Sequence, residues 1–146
     1  MRKLGQIMMA SLLGFVLVAV ADVPRPSKID TRDIEGAIFA RPDMIETTKD
    51  GNTTLDVTTF LSSDRKFASG MYRSGAVRAE INEPYGVDEF MYFLEGSVTL
   101  TSSDGTVQVI GAGEGVSIPR EWTGVWETEG YTKIWVIYSE DGSGLE

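Results

Sequence analysis

From Thr53 to Tyr138 the chain is a succession of short runs rich in Val, Ile, Thr and aromatic residues, cut every 8 to 12 residues or so by clusters of Gly, Asp, Asn and Ser. Such spacing cannot feed long helices, and it predicts an all-β sandwich or barrel. The runs are Thr54 to Leu61, Ala68 to Arg73, Ala76 to Ile81, Phe90 to Glu95, Ser97 to Thr101, Thr106 to Ile110, Gly115 to Ile118, Gly124 to Glu127 and Thr132 to Tyr138. Asp104-Gly105 lies between two alternating runs, where a two-residue turn needs positive φ. Gly111-Ala112-Gly113 and Glu129-Gly130 mark two further expected reversals.

The first residues follow a different rule. Arg2 and Lys3 form a basic start, Ile7 to Val20 is almost wholly apolar, and Ala19-Val20-Ala21 offers a small-x-small cleavage site. Residues 1–21 are therefore expected to be a cleavable signal peptide, since the apolar run is shorter than the roughly 20 residues of a spanning helix. No cysteine exists to carry a lipid or a disulfide. A periplasmic or secreted protein, free of the membrane after cleavage, is the expectation. Residues 22–36, with Pro24, Pro26 and Ser27, look like a spacer or arm, poorly ordered before about Ile34. Residues 37–146 then form a single domain, which is the room that 146 residues allow.

Cleavage removes Arg2 and Lys3 and no acid, leaving 11 basic against 22 acidic residues, so the formal net charge moves from −9 to −11. A surface so acidic repels nucleic acid and anionic lipid. The chain also has no histidine. With neither His nor Cys, no Ser-His-Asp or Cys-His nucleophile can be assembled. The glycine-rich stretch Gly111 to Gly115 lacks the lysine and the strand-to-helix context of a phosphate loop.

Two segments carry a resemblance. Glu89, six further residues and Gly96, within Asp88-Glu89-Phe90-Met91-Tyr92-Phe93-Leu94-Glu95-Gly96, resemble the end of the first signature block of the cupin superfamily. Gly113, five residues and Pro119 resemble the start of the second. With the tail Gly124-Val125-Trp126-Glu127 and Lys133 to Tyr138, the run from Tyr72 to Tyr138 is similar to the cupin domains of (S)-ureidoglycine aminohydrolase. The resemblance implies a double-stranded β-helix, or jelly-roll, barrel around a pocket. It also implies a metal held mainly by histidines, and here the chain departs. The paired histidine positions hold Asn82 and Pro84, or Glu83 and Tyr85, and the second-block position is Gly124. The expectation is no transition-metal cofactor, the alternative being a hard divalent metal on oxygens of Glu89, Glu83, Asn82 and Tyr85.

Period-two alternation puts Glu89, Met91 and Phe93 on one strand face, and Lys133, Trp135 and Ile137 on one face of the last run. Glu89 is either a site acid, base or ligand anchor, or a rim carboxylate bonded to backbone or arginine. Lys133 either snorkels to solvent or points into the pocket opposite Glu89, the position the resemblance favours. Trp126 is both core and pocket wall, Trp122 stands at the mouth, and an inward Arg73 would clamp a carboxylate. Arg78 and Glu80 read as a solvated outer face.

The expected pocket is Glu89, Met91, Phe93, Trp126, Lys133, Tyr85 and Arg73. The expected function is binding of a small polar or aromatic molecule without a metal. Rival expectations are acid–base catalysis by Glu89 and Lys133, as the aminohydrolase resemblance implies, and a structural module. In the last, Gly36 to Asp64 could add a strand to a neighbour, giving a homodimer.

Overall fold

The computed structural model describes residues 23–145, so the expected leader lies outside the described residues. Eight antiparallel strands make up just over half of it: β1 Ile45–Lys49, β2 Asn52–Leu61, β3 Phe67–Ser74, β4 Val77–Ile81, β5 Asp88–Ser102, β6 Val107–Gly111, β7 Gly115–Ile118 and β8 Gly124–Tyr138. The strands are hydrogen-bonded into one sheet that folds into two layers, because β5 and β8 are each fifteen residues long and run through both. One layer follows the order β1, β2, β3, residues 131–138 of β8, residues 88–93 of β5, and β7. The other follows β4, residues 124–128 of β8, residues 97–102 of β5, and β6. This all-β, two-layer architecture is consistent with a jelly roll.

The two long strands are where the observed elements depart most from the sequence expectation. Four of the expected runs fuse into two strands. Glu129-Gly130 is a bend inside β8, with Gly130 at φ +132, rather than a reversal, and it faces a matching bend at Gly96, φ +70. A Cβ on Gly96 would lie 2.0 Å from the Gly130 carbonyl oxygen, so the ladder can kink there only without side chains. The opposite error concerns β1, which the sequence did not announce. All five of its residues are exposed on a sheet edge, so no apolar alternation marks it. It is fixed by Asp50-Gly51, both at positive φ as the tight hairpin turn requires.

Two cores result. Between the layers, Met91, Phe93, Val98, Leu100, Ile110, Ile118, Trp126 and Tyr131 pack together. On the outer face of the larger layer, Ile38 and Phe39, carried by the 3-10 turn Ala37–Ala40, cover Val57 and Met71. At about 1.5–3 kcal/mol for each large apolar side chain fully buried, both clusters matter to stability. The segment before this turn, expected as a spacer or arm, makes contacts of its own. Asp30 caps the short helix α1, Thr31–Ile34, in a reciprocal capping box with Asp33. Further back, Ile29 packs on the outer core and the Ser27 hydroxyl donates to the Thr59 carbonyl at 2.7 Å.

Residues 45–49 and 52–61, which lie within the segment expected to reach a neighbour, pair within the chain's own sheet as β1 and β2.

Candidate functional site

Because the outer core takes the apolar alternates of β2 and β3, their polar alternates turn inward. On β2, Leu55 and Val57 go outward while Asp56 and Thr58 face the space between the layers. On β3, Met71 goes outward and Tyr72 inward. That inner space is a cavity of about 430 Å³, open at one end and lined also by Val77, Ala79 and Ile81 of β4 and by Lys133, Trp135 and Ile137 of β8. Its volume falls in the range of small-molecule sites.

At its floor Glu89 and Lys133 are 4 % and 6 % exposed, and Lys133 Nζ lies 2.6 Å from Glu89 Oε1. The ammonium also donates to Met91 Sδ at 3.0 Å. The other carboxylate oxygen, Oε2, accepts a short hydrogen bond from the Tyr85 hydroxyl. Tyr85 is aimed by its loop, whose backbone bonds to the facing loop through Tyr85 N to Trp122 O and Gly86 N to Arg120 O. Burial first, and then the Glu89 charge, push the Tyr85 hydroxyl far above the ordinary phenol range, so it acts as a donor. Tyr72, Trp126 and Tyr131 surround the same ammonium, their ring centroids 5.5, 5.4 and 5.9 Å from Nζ.

A second polar group lies on the β2 wall. Asp56 Oδ1 accepts from the Trp135 indole N–H at 3.2 Å. Burial raises the Asp56 carboxyl above its ordinary value against that hydrogen bond and the pull of Lys133, and the charge of Glu89 adds to the rise. Gly70 makes room for the indole, since a Cβ there would lie 2.6 Å from the Trp135 ring and 2.1 Å from the Val57 carbonyl oxygen.

Of the residues the sequence singled out, Glu89, Lys133, Tyr85 and Trp126 line the cavity together. Met91 is buried beneath the Lys133 ammonium, and Phe93 belongs to the core, edge-on to Tyr131. Arg73 does not reach the cavity. Alternation on β3 sends it outward, where its guanidinium covers the Phe39 ring at 4.6 Å and donates to Thr132 Oγ1. Trp122 packs edge-on to Tyr85 and bonds Ser102 Oγ, while Arg78 and Glu80 pair on the exposed outer face of β4. The sequence selection left out Asp56, Tyr72, Tyr131 and Trp135. The signal for Asp56 was the run Thr54-Leu55-Asp56-Val57-Thr58, whose polar face reads as solvent-facing until a second core is known to lie outside it.

The donor set does not fit a metal. Both oxygens of Glu89 are engaged, by an ammonium and a phenol, and a cation there would have to displace Lys133. Asn82 and Glu83 are exposed, and among the described residues no three His, Cys, Asp or Glu side chains gather closely enough to share an ion. At the second-block position, a Cβ on Gly124 would lie 2.2 Å from the Thr101 carbonyl oxygen, so no ligating side chain is accommodated.

Residues 64–133 match the EutQ-like cupin domain family. No curated protein sequence matches the chain. Among solved structures, the EutQ protein of Clostridium difficile is similar at 19 % identity and a TM-score of 0.54, over 68 % of this chain and 78 % of that one. Ectoine synthase from P. lautus is similar at 15 % identity and a TM-score of 0.56, over 70 % and 72 %. A protein of unknown function from Pseudomonas syringae pv. tomato reaches a TM-score of 0.59 at 16 % identity; the match covers 64 % of this chain and 43 % of that one. At these identities the likeness is one of fold.

Proposed function

We propose that the protein, whose residues 64–133 match the EutQ-like cupin domain family, binds a small organic molecule in its barrel without a transition metal. The observation that carries this is the cavity of about 430 Å³ whose floor is closed by the chain's own ion pair, Lys133 on Glu89. Lys133 sits on the Glu89 carboxylate, its Nζ enclosed by three aromatic rings and a thioether. Tyr72, Trp126 and Trp135 provide flat apolar walls, and Asp56 a polar contact.

Isothermal titration against a panel of small polar and aromatic compounds, beside metal analysis of the purified protein, tests the proposal. Saturable binding by metal-free protein is expected. A stoichiometric divalent ion resistant to dialysis would overturn it.

Acid–base chemistry of the kind the aminohydrolase resemblance implies is the second reading, favoured by the buried 2.6 Å contact of Glu89 with Lys133. Turnover of a bound compound that Glu89→Gln abolishes would establish it. Export belongs to the same proposal on the sequence of residues 1–21, and fractionation of the producing cells checks it.

A further inference from the structure

The barrel's polar groups are unbalanced, and the imbalance has a sign. Three charged side chains line the cavity: Asp56, Glu89 and Lys133. Lys133 is committed to Glu89, whose second oxygen is taken by Tyr85. The phenols of Tyr85, Tyr72 and Tyr131 are all pushed upward, by burial before any other cause, and stay neutral donors. Asp56 is left over. Among the described residues its one side-chain donor is the neutral Trp135 indole, too little to compensate a carboxylate drawn out of water.

A second acceptor on the same strand face is also short of a donor. The Ser74 hydroxyl donates to the Gly75 carbonyl, so it can only accept from Asn52 Nδ2, at 3.1 Å. This orientation leaves Asn52 Oδ1 buried with no partner among the described residues, in a residue that lines the cavity. The walls agree in sign. Three rings already hold an ammonium at 5.4 to 5.9 Å, and a ring face that attracts a cation repels an anion.

We propose that the cavity selects a small organic cation, an ammonium- or amidinium-bearing molecule with an apolar body, and that Asp56 is its counter-ion. This rests on the barrel-binding function above and adds the charge of the ligand and the residue that reads it. The apolar body lies against Tyr72, Trp126 and Trp135, and the cationic end takes the Asp56 oxygen left by the indole.

Three probes of one shape and different charge test it by titration calorimetry: benzylamine, benzyl alcohol and benzoate. Benzylamine is expected to bind at least tenfold more tightly than benzyl alcohol, with benzoate weakest. Asp56→Asn, close in shape, should erase the preference for the amine over the alcohol; Asp56→Glu should restore part of it. Equal affinities across the series, or a preference for benzoate, would overturn the inference while leaving barrel binding standing. Failure of all three to bind, or to quench tryptophan fluorescence, would count against barrel binding as well. The comparison on the native protein needs no variant to fold.

Discussion

Lys133 and Glu89 meet although they are not partners in the β5–β8 ladder. Lys133 stands opposite Phe93 and Glu89 opposite Ile137, so the lysine stem runs along the barrel past Met91 to place Nζ 2.6 Å from Glu89 Oε1. A charge pair reached by such a route is embedded in the core rather than laid on it. Removing one partner leaves a buried charge, which costs roughly 3–5 kcal/mol, whereas replacing both with apolar residues of similar volume can be nearly neutral. Glu89→Leu and Lys133→Met should therefore each destabilise by about that amount in urea unfolding. The double variant should be destabilised by several kcal/mol less than the two single costs added together. Strict additivity would mean that the pair is not coupled in solution.

Asp56 gives the protein a pH dependence opposite to that of an ordinary paired carboxylate. Burial raises its carboxyl in the folded state, so between the ordinary value of 3.8 and the raised one the folded protein holds more protons than the unfolded chain. Its contribution to stability is present below 3.8 and is lost as the pH climbs through the raised value. Asp56→Asn should remove that decline. Paired melting curves from acidic to neutral pH should show the variant gaining on the native protein as the pH rises.

Gly70 is expected to be intolerant despite lying in the middle of a strand. Its substitution by alanine puts a methyl group against the Val57 carbonyl and the Trp135 ring. Overpacking of this kind costs about 1–3 kcal/mol, and here it should also push the indole away from Asp56. Tryptophan fluorescence and melting temperature measured together check both effects; an unchanged spectrum would contradict the second.

Arg73 should behave as a structural residue. Arg73→Ala removes the guanidinium from the Phe39 ring and is expected to cost about 0.5–1 kcal/mol, with ligand affinity unchanged. Calorimetric affinity altered severalfold would return this side chain to the site.

The sequence announced the strands whose one face is buried and the other wet, and it misjudged those in other situations. β1 has no buried residue, so nothing in Ile45 to Lys49 alternates. β5 and β8 contain glycine bends that look like turns when the partner strand is unknown, because a turn and a bend ask the same positive φ of Gly96 and Gly130. The site was legible where the resemblance to the cupin blocks supplied a landmark, at Glu89, and where alternation reached from it, at Lys133. It was misread on β2 and β3, whose apolar alternates Val57 and Met71 face a second core beneath Ile38 and Phe39 and so turn Asp56 and Tyr72 to the cavity. That inversion hid Asp56 and made Arg73 a candidate.

The kink shared by Gly96 and Gly130 has a mechanical meaning. Since β5 and β8 belong to both layers, the cavity is the inside of a fold in one sheet, bent where the β5–β8 register shifts, and not a gap between two separable sheets. Its width is the angle of that bend. A ligand too wide for it presses on the two longest strands of the protein, so the barrel weighs the size of its guest against its own folding.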